Sequence, residues 1–172
     1  MLLWESARLE AEKLRAVLSP GSHGLDNLVK MASMLGARVW VQPLEPDISG
    51  LVLKEKDTPP EVFINALETP QRQRFTLAHE IGHLIERDSI AGDDDYSFVD
   101  YRKSDGYNLH EFYADEFAGA LLMPAEEFEQ VMRQQGEYGA AEYFGVSVPA
   151  VRKRRARLEK NPGVMTVHSC ST

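Results

Sequence analysis

The sequence lacks the features of secreted and membrane proteins. Its 172 residues include one cysteine, Cys170, so no disulfide can form within the chain, whereas small secreted proteins depend on such bonds. No apolar run approaches the roughly 20 residues that cross a bilayer. Charged residues follow the first apolar positions too closely for a signal peptide. These absences predict a cytoplasmic protein without a membrane partner.

An excess of positive charge is also missing. The net charge is −8 and the isoelectric point is near 5.1, so the chain as a whole is not a general nucleic-acid binder. Hydrophobic residues make up 43% of the chain, which at this length is enough for one compact domain with a buried core.

One stretch, residues 75–85, carries the chemistry. It contains H-E-x-x-H, with His79 and His83 four residues apart and Glu80 directly after the first histidine. On a helix, residues i and i+4 lie on one face, so both imidazoles can reach one metal ion. Glu80 then lies beside that face, where it can act as the general base on a metal-activated water.

The surrounding sequence favours the helix that this motif needs. Thr69 is a suitable N-cap, and Pro70 follows at a position where its missing N–H costs nothing. Apolar residues cover nearly the whole circumference of the predicted helix, which is typical of a buried central helix.

A catalytic zinc usually takes three protein ligands, so a third is needed from another element. The predicted helix at 108–123 places Glu111 and Asp115 on one face with apolar residues. We predict Glu111 as the third ligand, with a surface acid or ligation by His110 as the alternatives. Asp115, one turn later, is predicted to accept the free ring N–H of a ligating histidine, unless it forms a plain salt bridge.

This arrangement suits peptide hydrolysis, with zinc as the expected metal and manganese or another divalent ion as an alternative. A group that stabilises the oxyanion is also required, and three side chains close to Glu111 remain candidates: Tyr107, His110 and Tyr113. Tyr113 and Asn65, at the end of a predicted strand, are the expected substrate contacts. For Asn65 a turn-forming role is equally compatible with the sequence.

The predicted fold is α+β, mostly helical with a small three-stranded sheet. Apolar periodicity and turn residues predict helices at 3–18, 25–35, 124–134, 138–144 and 148–160, and strands at 39–41, 51–53 and 62–65. The third strand is expected to offer an edge to an extended peptide. The acidic segment 87–106 shows no clear periodicity and is interpreted as a loop, either a lid or a solvated insert.

The C-terminal segment resembles a helix-turn-helix, with Ser147 as the N-cap of a second helix that carries six basic residues. One interpretation is a DNA-binding helix. The other, which the acidic character of the chain favours, is a helical hairpin that closes the core, with its basic face solvated or docked on acidic groups. We predict a catalytic domain at 1–124, this helical segment at 125–160 and a flexible tail at 161–172.

Three runs give the chain a resemblance to the ImmA/IrrE metallo-endopeptidases: VFIN at 62–65, FTLAHEIGHL at 75–84 and EFYADEFAGALLMP at 111–124. The resemblance covers roughly residues 25–124. It implies a zincin-like fold, zinc bound by His79, His83 and Glu111, and a catalytic Glu80. It also implies that the substrate is a helix-turn-helix transcriptional repressor. From its length we expect the chain to resemble the short phage and mobile-element type more than the radiation-response branch, which carries a further sensor domain.

The leading hypothesis is therefore a cytoplasmic zinc endopeptidase acting on a repressor. A second hypothesis is a non-catalytic regulatory module that binds a repressor or DNA through its C-terminal helices. A third is a metallohydrolase acting on small amides.

Overall fold

The structure is a computed structural model that describes residues 1–17, 24–88, 95–101 and 108–163. No helix within these ranges is both long and apolar enough to cross a membrane. In chain order the elements are α1 (Leu3–Ala16), α2 (Leu25–Met34), β1 (Arg38–Gln42), β2 (Ile48–Lys54), β3 (Glu61–Asn65), α3 (Pro70–Glu86), β4 (Tyr96–Tyr101), α4 (Leu109–Leu122), α5 (Ala125–Phe144) and α6 (Val148–Lys160).

The four strands form one mixed sheet in the order β1-β3-β2-β4. The mostly helical α+β class is confirmed, but the prediction of three strands is wrong. The fourth strand, β4, lies inside the acidic segment that was interpreted as a loop, and it pairs antiparallel with β2. The local pattern does not predict β4, because polar residues flank it and because β2, the strand with which it pairs, is distant in sequence. Residues 89–94 and 102–106 of that segment lie outside the described residues.

The position of β3 corrects a second prediction. This strand lies between β1, to which it is parallel, and β2, to which it is antiparallel. Val62 and Ile64 on β3 are fully buried. Both sides of β3 are therefore paired, and among the described strands the outer positions belong to β1 and β4.

Helix α3 begins as the sequence predicts and packs into the centre of the molecule. The side chain of Thr69 accepts a hydrogen bond from the backbone N–H of Arg72 at 3.3 Å, and Pro70 is the first helical residue. Twelve residues of α3 are buried. The helix packs against α4 so closely that a Cβ added at Gly82 would lie 2.9 Å from the Cα of Ala114. This glycine therefore permits a near backbone-to-backbone contact.

The C-terminal helices differ in detail from the prediction. The helices expected at 124–134 and 138–144 are one element, α5, with a break at Gly136, where φ is 68° and ψ is −170°. Gly145 ends α5 with φ 61°. The buried guanidinium of Arg74 donates to the carbonyl oxygens of Phe144 at 2.7 Å and Gly145 at 2.6 Å. A cation thus satisfies carbonyls that the helix end leaves unpaired.

A buried acid, Glu116 on α4, connects three helices. Its carboxylate accepts hydrogen bonds from Arg8 on α1 at 2.7 Å, from Arg154 on α6 at 3.1 Å and from Arg157 on α6 at 2.9 Å. Burial alone would raise the pKa of Glu116, but the bonds from Arg157 and Arg8 and the charge of Arg154 lower it below its usual value. The cluster holds α6 against the core.

Two further basic residues of α6 also have acidic partners. Arg152 donates to Glu137 at 2.9 Å, and Arg155 donates to Glu159 at 2.9 Å within the helix. Ser147 does cap α6, accepting from the N–H of Ala150. The geometry matches the second interpretation, a hairpin that closes the core with its basic face on acidic groups.

Replacing Glu116 by Gln should destabilise the fold by about 3–5 kcal/mol at pH 7, because Arg154 would keep a buried charge without its partner. Since the pKa of Glu116 is lowered in the folded state, its stabilisation is present above pH ~4.5 and is lost as the pH falls through the folded-state pKa. Urea unfolding measures the free energy of unfolding of Glu116→Gln and of the unmodified chain. The difference between the two should be smaller in acid than at pH 7. Glu129→Gln, which removes an exposed i,i+4 pair with Arg133, should cost less than about 1 kcal/mol at both pH values. Equal costs for the two variants would contradict the role of the cluster.

Replacing Gly82 by Ala should destabilise the protein by about 1–3 kcal/mol, because α3 and α4 must move apart. Gly119→Ala is the matched control, since an added Cβ there meets only the side chain of Arg154, with Cδ at 3.4 Å and Nη1 at 3.8 Å. This control should be neutral, or more stable by up to about 1 kcal/mol through helix propensity. Thermal unfolding of both variants measures the contrast, and a neutral Gly82→Ala would refute the close contact.

Candidate metal centre

The centre lies where α3 and α4 face each other. His79 on α3 is opposite Asp115 on α4, and Glu86, two turns further along α3, is opposite His110 at the start of α4. The two helices therefore run in opposite directions. Asn108 caps α4 by accepting from the backbone N–H groups of His110 and Glu111, which fixes the first turn beside the paired histidines.

Three ligand atoms converge in this contact. The Nε2 atoms of His79 and His83 are 3.1 Å apart, Oε2 of Glu111 lies 3.2 Å from Nε2 of His79, and Oε1 of Glu111 lies 3.3 Å from Nε2 of His83. One ligand atom from each of the three residues lies within 4.8 Å of the other two. Bonds of about 2.0–2.1 Å from nitrogen and oxygen to a tetrahedral zinc would put neighbouring ligand atoms about 3.3–3.4 Å apart. The triangle formed by the three residues therefore fits a metal ion of this kind. It is the group of three that the described residues offer for a cation.

The charge balance of the centre also suits a cation. Burial alone would lower the pKa of His79, but hydrogen bonds to Asp115 and Glu111 and the charge of Glu80 raise it to about 10. Burial lowers the pKa of His83 to about 4. Burial would raise the pKa of Glu111, but its bonds to the two histidines lower it to about 2. The carboxylates thus stabilise positive charge at the point where the ligand atoms meet.

Asp115 lies behind His79, as the sequence predicts for a residue that orients a ligand. Its Oδ1 is 3.1 Å from Nδ1 of His79, so it can accept the Nδ1 proton. A histidine protonated at Nδ1 presents the lone pair of Nε2, which is the atom that faces His83 and Glu111.

Glu80 is fully buried beside the centre. Neither of its carboxylate oxygens has a hydrogen-bond partner among the described residues. Burial raises the pKa of Glu80 to about 8, opposed by the charge of His79 and assisted by Asp100 and Glu111. A buried carboxylate without a partner is unfavourable in a purely structural role. Its placement suits a group that exchanges a proton.

The structure does not bring the two expected substrate contacts to this centre. The side chain of Asn65 is fully buried, accepts from the N–H groups of Leu44 and Leu67 and donates to the carbonyl of Ile48, so it acts as the turn-forming residue. Tyr113 is also fully buried, and burial raises the pKa of its hydroxyl to about 12. We therefore retain neither side chain as a substrate contact. Tyr107 lies outside the described residues.

The structure adds residues that the sequence did not reveal. Gly50 on β2 leaves room for the motif, because a Cβ there would lie 2.5 Å from Cγ2 of Thr76 and 3.2 Å from Oε1 of Glu80. Asp100 on β4 pairs with Gly50 across the strands and influences the pKa of Glu80. The only sequence signal for Gly50 was a glycine next to an apolar strand. Asp100 could not be found from the sequence, because it lies on the strand that was not predicted.

His110, the rival for the third ligand position, has another partner. Its Nδ1 lies 2.8 Å from Oε1 of Glu86, which is buried at the end of α3. The pair extends the contact between α3 and α4 by one more polar bridge, at the opposite end from Asp115.

Comparisons with known proteins agree with this geometry. The model of the peptidase family described as Peptidase_M78, IrrE N-terminal-like domain, matches residues 32–155. The radiation response metalloprotease IrrE of Deinococcus deserti is 32% identical over 122 residues, which cover 69% of this chain and 37% of that protein. The protein of the same name from Deinococcus radiodurans is 37% identical over 83 residues, 46% of this chain and 24% of that protein. The chain thus spans about a quarter to a third of the length of these relatives.

A solved structure described as a Mycobacterium tuberculosis transcriptional regulator shares the fold with a TM-score of 0.65 and 22% identity. The match covers 93% of this chain and 48% of that one. Together with the His-His-Glu triangle and the buried glutamate beside it, the family match over most of the sequence gives the identification: the chain belongs to the ImmA/IrrE family of metallopeptidases.

Proposed function

We propose that this chain is a zinc-dependent endopeptidase, with His79, His83 and Glu111 as the metal ligands and Glu80 as the general base. The observation that carries the proposal is the buried carboxylate of Glu80, which has no hydrogen-bond partner in the described part of the chain and lies beside three converging ligand atoms. A purely structural cluster would have no need for that arrangement, because an uncompensated buried acid costs stability.

The donor set supports zinc. Two imidazole nitrogens and one carboxylate at tetrahedral spacing are typical of catalytic zinc, which keeps one position open for water. Manganese and calcium prefer more oxygen donors, and manganese binds such sites more weakly than zinc. Manganese or another divalent ion remains the alternative occupant.

His79, His83 and Glu111 would hold the zinc, which would lower the pKa of a bound water to about 7 and polarise a substrate carbonyl group. Glu80 ionises when positive charge is held beside it, and then accepts a proton from the attacking water. The water oxygen bonds to the peptide carbonyl carbon, and the C–N bond breaks. Glu80 passes its proton to the departing nitrogen, so atoms and charge balance. Asp115 keeps His79 in the tautomer that ligation needs.

The position of β4 supports an extended protein substrate. This strand is the outer strand on the side of β2, and its Asp100 is near enough to influence the pKa of Glu80. A peptide adding to β4 as a further strand would lie beside the centre, held by backbone hydrogen bonds. This replaces β3 as the proposed docking strand.

For the substrate itself we propose a helix-turn-helix transcriptional repressor, on the strength of the resemblance to the ImmA/IrrE endopeptidases. Such a substrate would place the enzyme in the cytoplasm, which the lack of paired cysteines also favours. The division into a catalytic unit at 1–124 and a helical segment at 125–160 stays a proposal, while part of the tail at 161–172 lies outside the described residues. DNA binding through α6 is not retained, because five of its six basic residues form ion pairs with acids within the chain.

Replacing Glu111 by Gln should weaken zinc binding by more than the roughly tenfold to hundredfold that changes behind the ligands cost. The amide keeps the shape of the side chain but loses the charge that attracts the metal. Competition with a chromophoric chelator gives the affinity, and metal analysis after dialysis gives the stoichiometry. Glu137→Gln, on the surface of α5, is the matched control and should bind zinc as the unmodified chain does. Unchanged affinity in Glu111→Gln would remove the third ligand.

Replacing Glu80 by Gln should abolish peptide cleavage, lowering the rate by about 10²–10⁴-fold or more, while zinc stays bound. The amide cannot take up the proton, yet it occupies the same space. The test incubates the zinc-loaded variant with the repressor encoded beside its gene and uses mass spectrometry to look for one defined cut. Cleavage at an undiminished rate would remove Glu80 from the mechanism. Turnover of short amides without any protein substrate would favour a small-molecule hydrolase.

A further inference from the structure

Helix α6 reaches the metal centre through Asp115. One carboxylate oxygen of Asp115, Oδ1, faces Nδ1 of His79 at 3.1 Å. The other, Oδ2, accepts a short hydrogen bond from Nζ of Lys153 and lies 3.5 Å from Nη2 of Arg157. A continuous path of polar contacts therefore runs from the C-terminal helix to a ligand of the proposed metal.

Contacts of α6 with α4 fix the position of Lys153 relative to Asp115. Arg154 and Arg157, one and four residues after Lys153 in the helix, both donate to buried Glu116. Glu116 is the next residue after Asp115 on α4. These two contacts at Glu116 thus fix the position along α4 at which Lys153 meets Asp115.

We propose that Lys153 is a positioning residue of the metal centre, which holds the Asp115 carboxylate so that Asp115 can orient His79. The inference rests on the proposed metal site but not on the proposed substrate. In this proposal α6 supports metal binding through Asp115 and does not itself contact the substrate.

The physical need for such a residue follows from the aspartate side chain. The last torsion of an aspartate is broad, so a carboxylate held at one oxygen can rotate away from its partner. A donor on Oδ2 limits this rotation and keeps Oδ1 toward His79.

Lys153 is a suitable residue to substitute. Its side chain is 49% exposed, so shortening it leaves no buried cavity, and Asp115 keeps the contact of Oδ2 with Nη2 of Arg157 at 3.5 Å. The neighbouring Arg152 provides the matched control, because it carries the same charge on the same helix and pairs with Glu137 instead. A general effect of charge on zinc binding would appear in both variants.

The experiment measures zinc affinity by chelator competition in Lys153→Met, Lys153→Arg, Arg152→Met, Asp115→Asn and the double variant of Lys153→Met with Asp115→Asn. Lys153→Met should bind zinc about threefold to tenfold more weakly, below the roughly tenfold to hundredfold cost of changing Asp115 itself. Lys153→Arg should restore the affinity, and Arg152→Met should leave it unchanged. The double variant should match Asp115→Asn alone, because Lys153 acts only through that carboxylate.

A second measurement does not depend on affinity. In the cobalt-substituted protein the visible ligand-field bands report the geometry around the ion, and they should shift in Lys153→Met but not in Arg152→Met. Thermal unfolding of each metal-free variant checks that the fold persists, and Lys153→Gln replaces Lys153→Met if the latter unfolds.

The outcomes separate this proposal from the proposed function. If the unmodified chain binds no zinc, both fail. If it binds zinc and Lys153→Met matches it in affinity and spectrum, the role of Lys153 is overturned and the metal site stands. An undiminished effect of Lys153→Met in the Asp115→Asn background overturns the proposal as well.

Discussion

The close contact between α3 and α4 is the constraint on which the rest of the structure depends. His79 and His83 come from one helix and Glu111 from the other, so the metal triangle exists only if the two backbones approach within a few ångströms. Gly82 against Ala114 makes that approach possible. On either side of it, polar bridges between the helices, His79 to Asp115 and His110 to Glu86, set the register.

Buried charge explains why this contact needs support from the rest of the chain. Glu80, Asp115 and Glu116 lie within or next to the contact, and each would be costly to bury without compensation. Glu116 is compensated by three arginines from two other helices. Neither carboxylate oxygen of Glu80 has a hydrogen-bond partner among the described residues. The structure thus separates two acids that are paired from one that is buried without such a partner, which is the placement expected of the proposed general base.

The basic residues of helix α6 pair with acids of the same chain. Its run of basic residues is what a DNA-contacting helix would show, yet the side chains turn toward acids on α4, α5 and α6 itself. The chain as a whole has a net charge of −8, and some of its acidic residues pair with the basic residues of this helix. The same cations that anchor α6 also bring Lys153 to the carboxylate behind His79.

What the sequence determined by itself is local. The spacing of His79, Glu80 and His83 sets them on one helix because i and i+4 share a face, and Thr69 and Pro70 mark where that helix starts. Glu111 and Asp115 could be paired with it because two acids on an otherwise apolar face need partners. Only the tertiary structure decided that β3 is a central strand, that β4 exists, that Asn65 and Tyr113 are buried, and that α6 docks through Glu116 and Asp115. Each of these features depends on contacts with residues that are distant in sequence. The local pattern of residues does not specify which distant segment will pair with a strand or bury a side chain.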